Sequence, residues 1–162
     1  MEKKLLRLIV AIFMLAFLNM AHAQVSLPYS EGFENGLNGW TLTDCQSDTG
    51  LTNSNDFVHS GDSAFTFHWT NSPPQYLISP EFTGTNNHEL NVSFYYKSGS
   101  SGSFPETFQV GYSTNSNDIS AFTFGEEIMA IPGNDWEIYT EAFPSGTKYV
   151  AIKCTSNDAL YL

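Results

Sequence analysis

The chain has 162 residues, with six Lys and Arg against seventeen Asp and Glu, for a formal net charge of −11. A polypeptide this acidic repels phosphate backbones and anionic membrane surfaces, which argues against nucleic-acid binding and favours divalent cations. Aromatic residues make up 15% and charged residues only 14%, a composition that suits pleated, half-buried surfaces.

The first residues read as an export leader. Lys3, Lys4 and Arg7 form a basic start, Leu5 to Leu18 an apolar run broken only by Arg7, and Ala21-His22-Ala23 a small-x-small cleavage pattern. The run is shorter than the roughly 20 residues needed to span a bilayer, so a retained anchor is disfavoured. Taking 1–23 as the leader makes Gln24 the first mature residue and leaves 139 residues, enough for one domain with its own core. Only Lys97, Lys148 and Lys153 then remain as cations against sixteen acids, a formal charge of −13.

Leu27 to Trp40 joins aromatic anchors to turn residues. Pro28 delimits a strand, and Asn35-Gly36 and Asn38-Gly39 supply positive-φ positions for two turns. Between them, Glu34 follows the core-type Phe33. A carboxylate at the end of a first strand, beside loops rich in Asp and Asn, is placed to help hold calcium; it is equally a solvated strand end. After Thr41-Leu42-Thr43, Asp44 to Asp56 forms a polar loop with no apolar period, long enough to be functional.

Phe65, Phe67 and Trp69 alternate with Thr66, His68 and Thr70, the mark of a half-buried strand. Tyr76-Leu77-Ile78 is a short strand stopped by Pro80. In Leu90 to Lys97, Leu90, Val92, Phe94 and Tyr96 share one face, and Asn91, Ser93, Tyr95 and Lys97 the other. A Gly/Ser-rich tip, Ser98 to Ser103, leads to Phe108, Val110 and Tyr112, which suggests an antiparallel hairpin in mid-sheet. Phe122 and Phe124 are placed to cap one end of the core. Glu126 to Ile131, Trp136 to Phe143 and Lys148 to Thr155 are further strands, and Ala159 to Leu162 begins another, with the last strand of the fold expected beyond it.

Nine or ten short strands at this spacing predict an all-β fold, a two-sheet antiparallel jelly-roll β-sandwich. Trp69, Trp136 and Ile138 are expected inside it with Phe33, Phe65, Phe67, Leu77, Phe108, Val110, Val150 and Ile152. Cys45 and Cys154 could pair in an exported chain. Against this, Cys154 is in phase with the inward Val150 and Ile152, while Cys45 is out of phase with Trp40 and Leu42, so the pairing stays open.

Catalytic constellations are not found. His59, His68 and His88 lack zinc spacing, no Gly-x-Ser-x-Gly elbow or phosphate loop occurs, and Cys45 has no neighbouring base. Glu126 and Glu127 are adjacent in a strand and point apart, so they cannot act as a glycosidase pair. Glu137 and Glu141 share with Tyr139 what alternation with Trp136 and Ile138 makes the solvent face. Tyr95 and Tyr139 are thus both expected outward, where they could stack on sugar rings as ligand-binding residues, although outward tyrosines are also ordinary in sheets. Asn91-Val92-Ser93 fits the N-glycosylation pattern but lies within a strand.

Several elements in order resemble the cleaved-adhesin domain, the haemagglutinin/adhesin module of gingipain-type proteins, also called choice-of-anchor J and related to MAM domains. They are Gly32-Phe33-Glu34 with its following Gly-Trp, Tyr76-Leu77-Ile78-Ser79-Pro80, Leu90 to Tyr96, Tyr112-Ser113-Thr114, Trp136, and Ser145-Gly146-Thr147-Lys148-Tyr149-Val150-Ala151. The resemblance implies a MAM-like jelly roll with a structural calcium and a non-catalytic adhesion role on a secreted or bacterial surface protein. By the same resemblance Glu34 is similar to a calcium ligand, with Asp44, Asp48 and Asp62 completing the candidate set. The family closes with a strand carrying an Asp-Asp pair, expected after Leu162. The expected partner is a host or matrix protein or a glycan; the rival reading is a carbohydrate-binding module of a larger secreted hydrolase whose catalytic part lies beyond residue 162.

Overall fold

The computed structural model describes residues 23–99, 104–133, 135–157 and 159–162. The leader expected over 1–23 lies outside these residues apart from Ala23, as does most of the Gly/Ser-rich tip. Thirteen strands are described: β1 (Gln24–Ser26), β2 (Thr41–Thr43), β3 (Gly50–Thr52), β4 (Ala64–Phe67), β5 (Gln75–Ile78), β6 (Glu81–Thr83), β7 (Leu90–Ser98), β8 (Glu106–Ser113), β9 (Thr123–Phe124), β10 (Ile128–Ala130), β11 (Glu137–Phe143), β12 (Tyr149–Cys154) and β13 (Leu160–Tyr161). Single 3-10 turns occupy Asn55–Phe57 and Ile119–Ala121.

These form two antiparallel sheets and a small parallel pair, β1 with β6. One sheet runs β10-β8-β12-β5-β2, with β9 also on β8; the other runs β11-β7-β13-β4-β3. β9 and β10 share one edge of β8, at Gly111–Tyr112 and Glu106–Phe108 respectively. The approach of β9 requires a glycine, since a Cβ at position 111 would meet the Phe124 ring at 2.6 Å and the Thr123 carbonyl at 2.9 Å.

The expected sandwich is what forms. Inward residues of the two sheets make one core containing Phe65, Phe67, Leu77, Phe108, Val110, Val150, Ile152 and Leu160. Phe108 is wholly buried among Tyr96, Phe94 and Tyr139, at ring-centroid distances of 4.9, 6.1 and 6.4 Å. Phe33 links Trp40 to Phe65 at 5.9 and 5.7 Å, so the 27–40 loop is anchored to β4 through aromatic edges.

Four expectations are corrected. β7 and β8 are not a hairpin, because they lie in different sheets. Alternation told which face of each strand turns inward but carries no information on which sheet it joins. Trp69 is 55% exposed, since β4 ends at Phe67 and alternation lapses there. Ile138 is exposed and Tyr139 buried. Trp136 lies before β11, and within the strand Tyr139 stands opposite the inward Phe94 while Ile138 stands opposite the outward Tyr95. Phe122 and Phe124 do not cap the main core; with Ile119 they pack on Tyr76, Ile78 and Ala151 in a satellite cluster.

Both cysteines are free thiols. Cys154 is wholly buried, and burial pushes its thiol up to about 11. Cys45 is half-buried and donates to the carbonyls of Thr43 and Tyr76, both at 3.4 Å.

Candidate functional site

The 27–40 loop is organised by a residue that sequence reading passed over, Glu31. Its carboxylate accepts the Phe33 N–H at 2.6 Å, the Asn38 amide at 3.0 Å and the Tyr29 hydroxyl at 3.1 Å, and that hydroxyl accepts the Trp40 indole N–H at 3.0 Å. Phe33 has φ +60, a region costly for a residue with a Cβ, and the Glu31 bond to its own N–H helps hold it there. Nothing in the spacing of Glu31 sets it apart in the sequence.

Glu34 is exposed and faces the turn before β4. Its carboxylate accepts the Asp62 N–H at 3.0 Å and the Ser63 N–H at 3.3 Å. Gly61, at φ +75, lies so close to this carboxylate that any Cβ there would collide with it. Glu34 and the Asp62 backbone thus meet at one corner.

Asp44 and Asp48 go elsewhere. The loop after β2 is stapled to the far end of β4 by Gln75, which is wholly buried. Gln75 Oε1 accepts the Thr49 hydroxyl at 2.6 Å and the Gln46 N–H at 3.0 Å, while its Nε2 donates to the His68 carbonyl at 2.8 Å. Asp48 lies 3.6 Å from His68 Nδ1. Asp44 follows β2 at φ +54, where its charge helps raise the Cys45 thiol and the Tyr76 hydroxyl, both chiefly raised by burial. Asp62 and His68 flank β4 on opposite ends, six residues and about 20 Å apart at strand spacing. One calcium ion binds oxygens at 2.3–2.6 Å, so Glu34, Asp62 and Asp48 do not fit a single ion. Among the described residues no three of His, Cys, Asp and Glu are placed to hold a metal together.

The outer face of the β11–β7 sheet carries an aromatic surface. Tyr95, 44% exposed, stacks on His59 at 3.7 Å, and Trp136 meets His59 edge-on at 5.5 Å. Ile138 stands across from Tyr95, so one strand pair presents both side chains outward. Tyr139, the other expected ligand residue, is instead in the core, stacked on Phe94 at 4.9 Å with its hydroxyl on Glu141. Burial and then the Glu141 carboxylate raise that hydroxyl far above the usual tyrosine range. Beside Tyr95 a cavity of about 390 Å³ opens at Leu27, Glu31 and His59 and reaches Leu77 and Ile152. His59 had no sequence signal as a partner of Tyr95, because contacts between a loop and a sheet face leave no periodicity.

A mostly apolar cavity and an outward aromatic face on a β-sandwich are the attributes of a ligand-binding module. The chain belongs to the Cleaved Adhesin Domain family, whose model matches residues 26–162. Among solved structures it is similar to the K1 cleaved adhesin domain of Lys-gingipain from Porphyromonas gingivalis W83, at 24% identity and TM-score 0.68 over 82% of this chain and 92% of that one. The K3 domain of the same protein gives 21% identity and TM-score 0.67 over 83% and 94%. The fold is shared more distantly with a family 22 carbohydrate-binding module of Clostridium thermocellum Xyn10B, at 15% identity and TM-score 0.56 over 83% and 87%. No curated protein is a significant match.

Proposed function

We propose that the chain is a non-catalytic adhesion module, secreted or displayed on a bacterial surface, that binds a host or matrix protein or a glycan. The observation that carries this reading is the family match over residues 26–162. Cleaved adhesin and carbohydrate-binding domains are non-catalytic modules, and those of gingipains belong to secreted or surface proteins. The Tyr95 face supplies the contact surface in this proposal: its ring is held by His59, so little freedom is lost when a partner covers it.

The test is binding of the protein to immobilised matrix proteins and to a glycan array, each repeated with Tyr95→Ala. A loss of about tenfold, equivalent to 1.4 kcal/mol, is expected in the variant. No binding by the wild-type protein on either surface would remove the proposal.

A second reading, a carbohydrate-binding module of a larger secreted hydrolase, has its own support. A solved neighbour at TM-score 0.56 is described in complex with β-1,4-galactotriose, and another at 0.54 as a xylan-binding domain. Saturable binding of neutral oligosaccharides with no response to matrix proteins would select it.

Calcium enters the proposal only at the Glu34–Asp62 corner, with Glu34 as the anchoring carboxylate. Calcium at a hundred times its Kd should stabilise the fold by about 2.7 kcal/mol. Thermal melting should lose that shift in Glu34→Gln and keep it in Asp48→Asn. An unshifted wild-type melt removes the ion from the account.

A further inference from the structure

β13 stands between β7 and β4 and is paired to both: Leu160 opposes Ser98 and Phe67, and Tyr161 opposes Lys97 and Thr66. Leu162 continues this line, exchanging backbone hydrogen bonds of 2.9 and 3.1 Å with Phe65. Further along, the arrangement changes. β7 pairs with β11 over residues 90–96 but with β13 only at 97–98, so among the described residues no strand lies on the β13 side of residues 90–95. The cavity beside Tyr95 occupies this gap. Residues 90–95 of β7 line it, together with Ser63, Ala64 and Leu162, and it reaches Leu77, Val150 and Ile152 of the facing sheet.

Two further observations point to a polypeptide as the occupant. Val92 and Phe94 are only half-buried, although Leu90 and Tyr96 on the same face are 4% and 7% exposed. The Gly99 N–H donates to the Ala159 carbonyl at 2.7 Å, so the backbone of Gly99 turns toward β13. By the two-residue period of an antiparallel strand, Asn91, Ser93 and Tyr95 turn their N–H and C=O groups the same way, into the gap.

We infer that the gap is a docking site for an extended segment of a partner polypeptide, which adds to the sheet beside β7, antiparallel to it as β13 is. The backbone of that segment pairs with Asn91, Ser93 and Tyr95. Its inward side chains are apolar and cover Val92, Phe94 and Ile152, and its outward ones lie beside the Tyr95 ring. A sugar chain carries no alternation of donor and acceptor at strand spacing, so this edge selects protein. The net charge of −11 favours a segment with basic flanks over an acidic one. The inference rests on the adhesion reading and deepens it by choosing polypeptide as the partner; it is read at β7 amides, whereas that reading is tested on arrays, so either can fail alone.

The experiment is amide hydrogen exchange of the full chain, followed by NMR with and without an excess of acetyl-Lys-Thr-Val-Thr-Val-Thr-Lys amide. In the free chain Asn91, Ser93 and Tyr95 should exchange at least about tenfold faster than Val92 and Phe94, whose amides face β11. The peptide should slow those three about tenfold, and galactotriose should not. Two further peptides carry methyl groups on the odd or the even backbone nitrogens. The one whose methyls face β7 should bind about tenfold more weakly than the parent. Slow exchange of the three amides before any peptide is added would mean that the chain's own residues fill the gap, and would overturn the inference. So would equal binding of the parent and both methylated peptides, slowing by galactotriose, or no slowing by the parent peptide.

Discussion

Gly61 and Glu34 show how much one contact determines at the residue scale. The carboxylate lies where a side chain at position 61 would have to go, and it satisfies two backbone N–H groups of the following turn. Gly61→Ala is strained by its positive φ, while the exposed Glu34 side chain can swing aside, and it should destabilise the protein by about 1–2 kcal/mol in urea unfolding. Phe108→Ala, wholly buried against three neighbouring rings, should cost about 3–5 kcal/mol by the same measurement. Cys154 contributes a pH dependence whose sign is set by burial. Its thiol is raised from 9 to about 11, so between those values the unfolded chain has lost a proton that the folded chain keeps. Stability is whole below pH 9 and falls as pH rises toward 11, by about 2–3 kcal/mol in all. Melting temperatures of Cys154→Ala should therefore fall less steeply than those of wild type over that interval.

The strands divide into those that alternation specified and those it could not. Leu90, Val92, Phe94 and Tyr96 turned inward as their period required, because nine residues of uninterrupted strand leave one phase only. β11 was read one residue out of phase because Trp136 looks like a core residue but precedes the strand, and Tyr139 took the inward place. Of the candidate site, Glu34 drew notice from its position after Phe33, and Asp62 came only with the family resemblance. The separation of Asp48 was not legible, since it depends on Gln75, a polar residue in a buried strand whose partners lie 26 and 29 positions away. Gln75→Leu should remove the acceptor of the buried Thr49 hydroxyl, at a cost of about 1–3 kcal/mol, along with the partner of the more exposed Gln46 N–H and His68 carbonyl. Hydrogen exchange should then rise at Gln46 while the amides of β12 stay protected.

For the molecule as a whole, two facing sheets hold polar loops at both ends of one short strand. β4 has the Glu34–Asp62 corner before it and the Gln75 bond to the His68 carbonyl after it, about 20 Å apart. A change in one is therefore expected to leave the other unaltered. The double variant of Glu34→Gln with Gln75→Leu should show stability losses that add within about 0.5 kcal/mol.

The position of β11 has a consequence for solubility. It borders its sheet, pairing with β7 alone among the described residues, and it alternates Glu137 and Glu141 with Tyr139 and Phe143 on the side turned toward the core. A strand at such a border offers its open backbone to any neighbouring molecule, and charges projecting from it make end-to-end stacking of copies costly. Replacing both glutamates with valine should leave a margin that sticks to itself, seen as light scattering that grows with protein concentration. Those two carboxylates give the open margin of the sheet its negative charge.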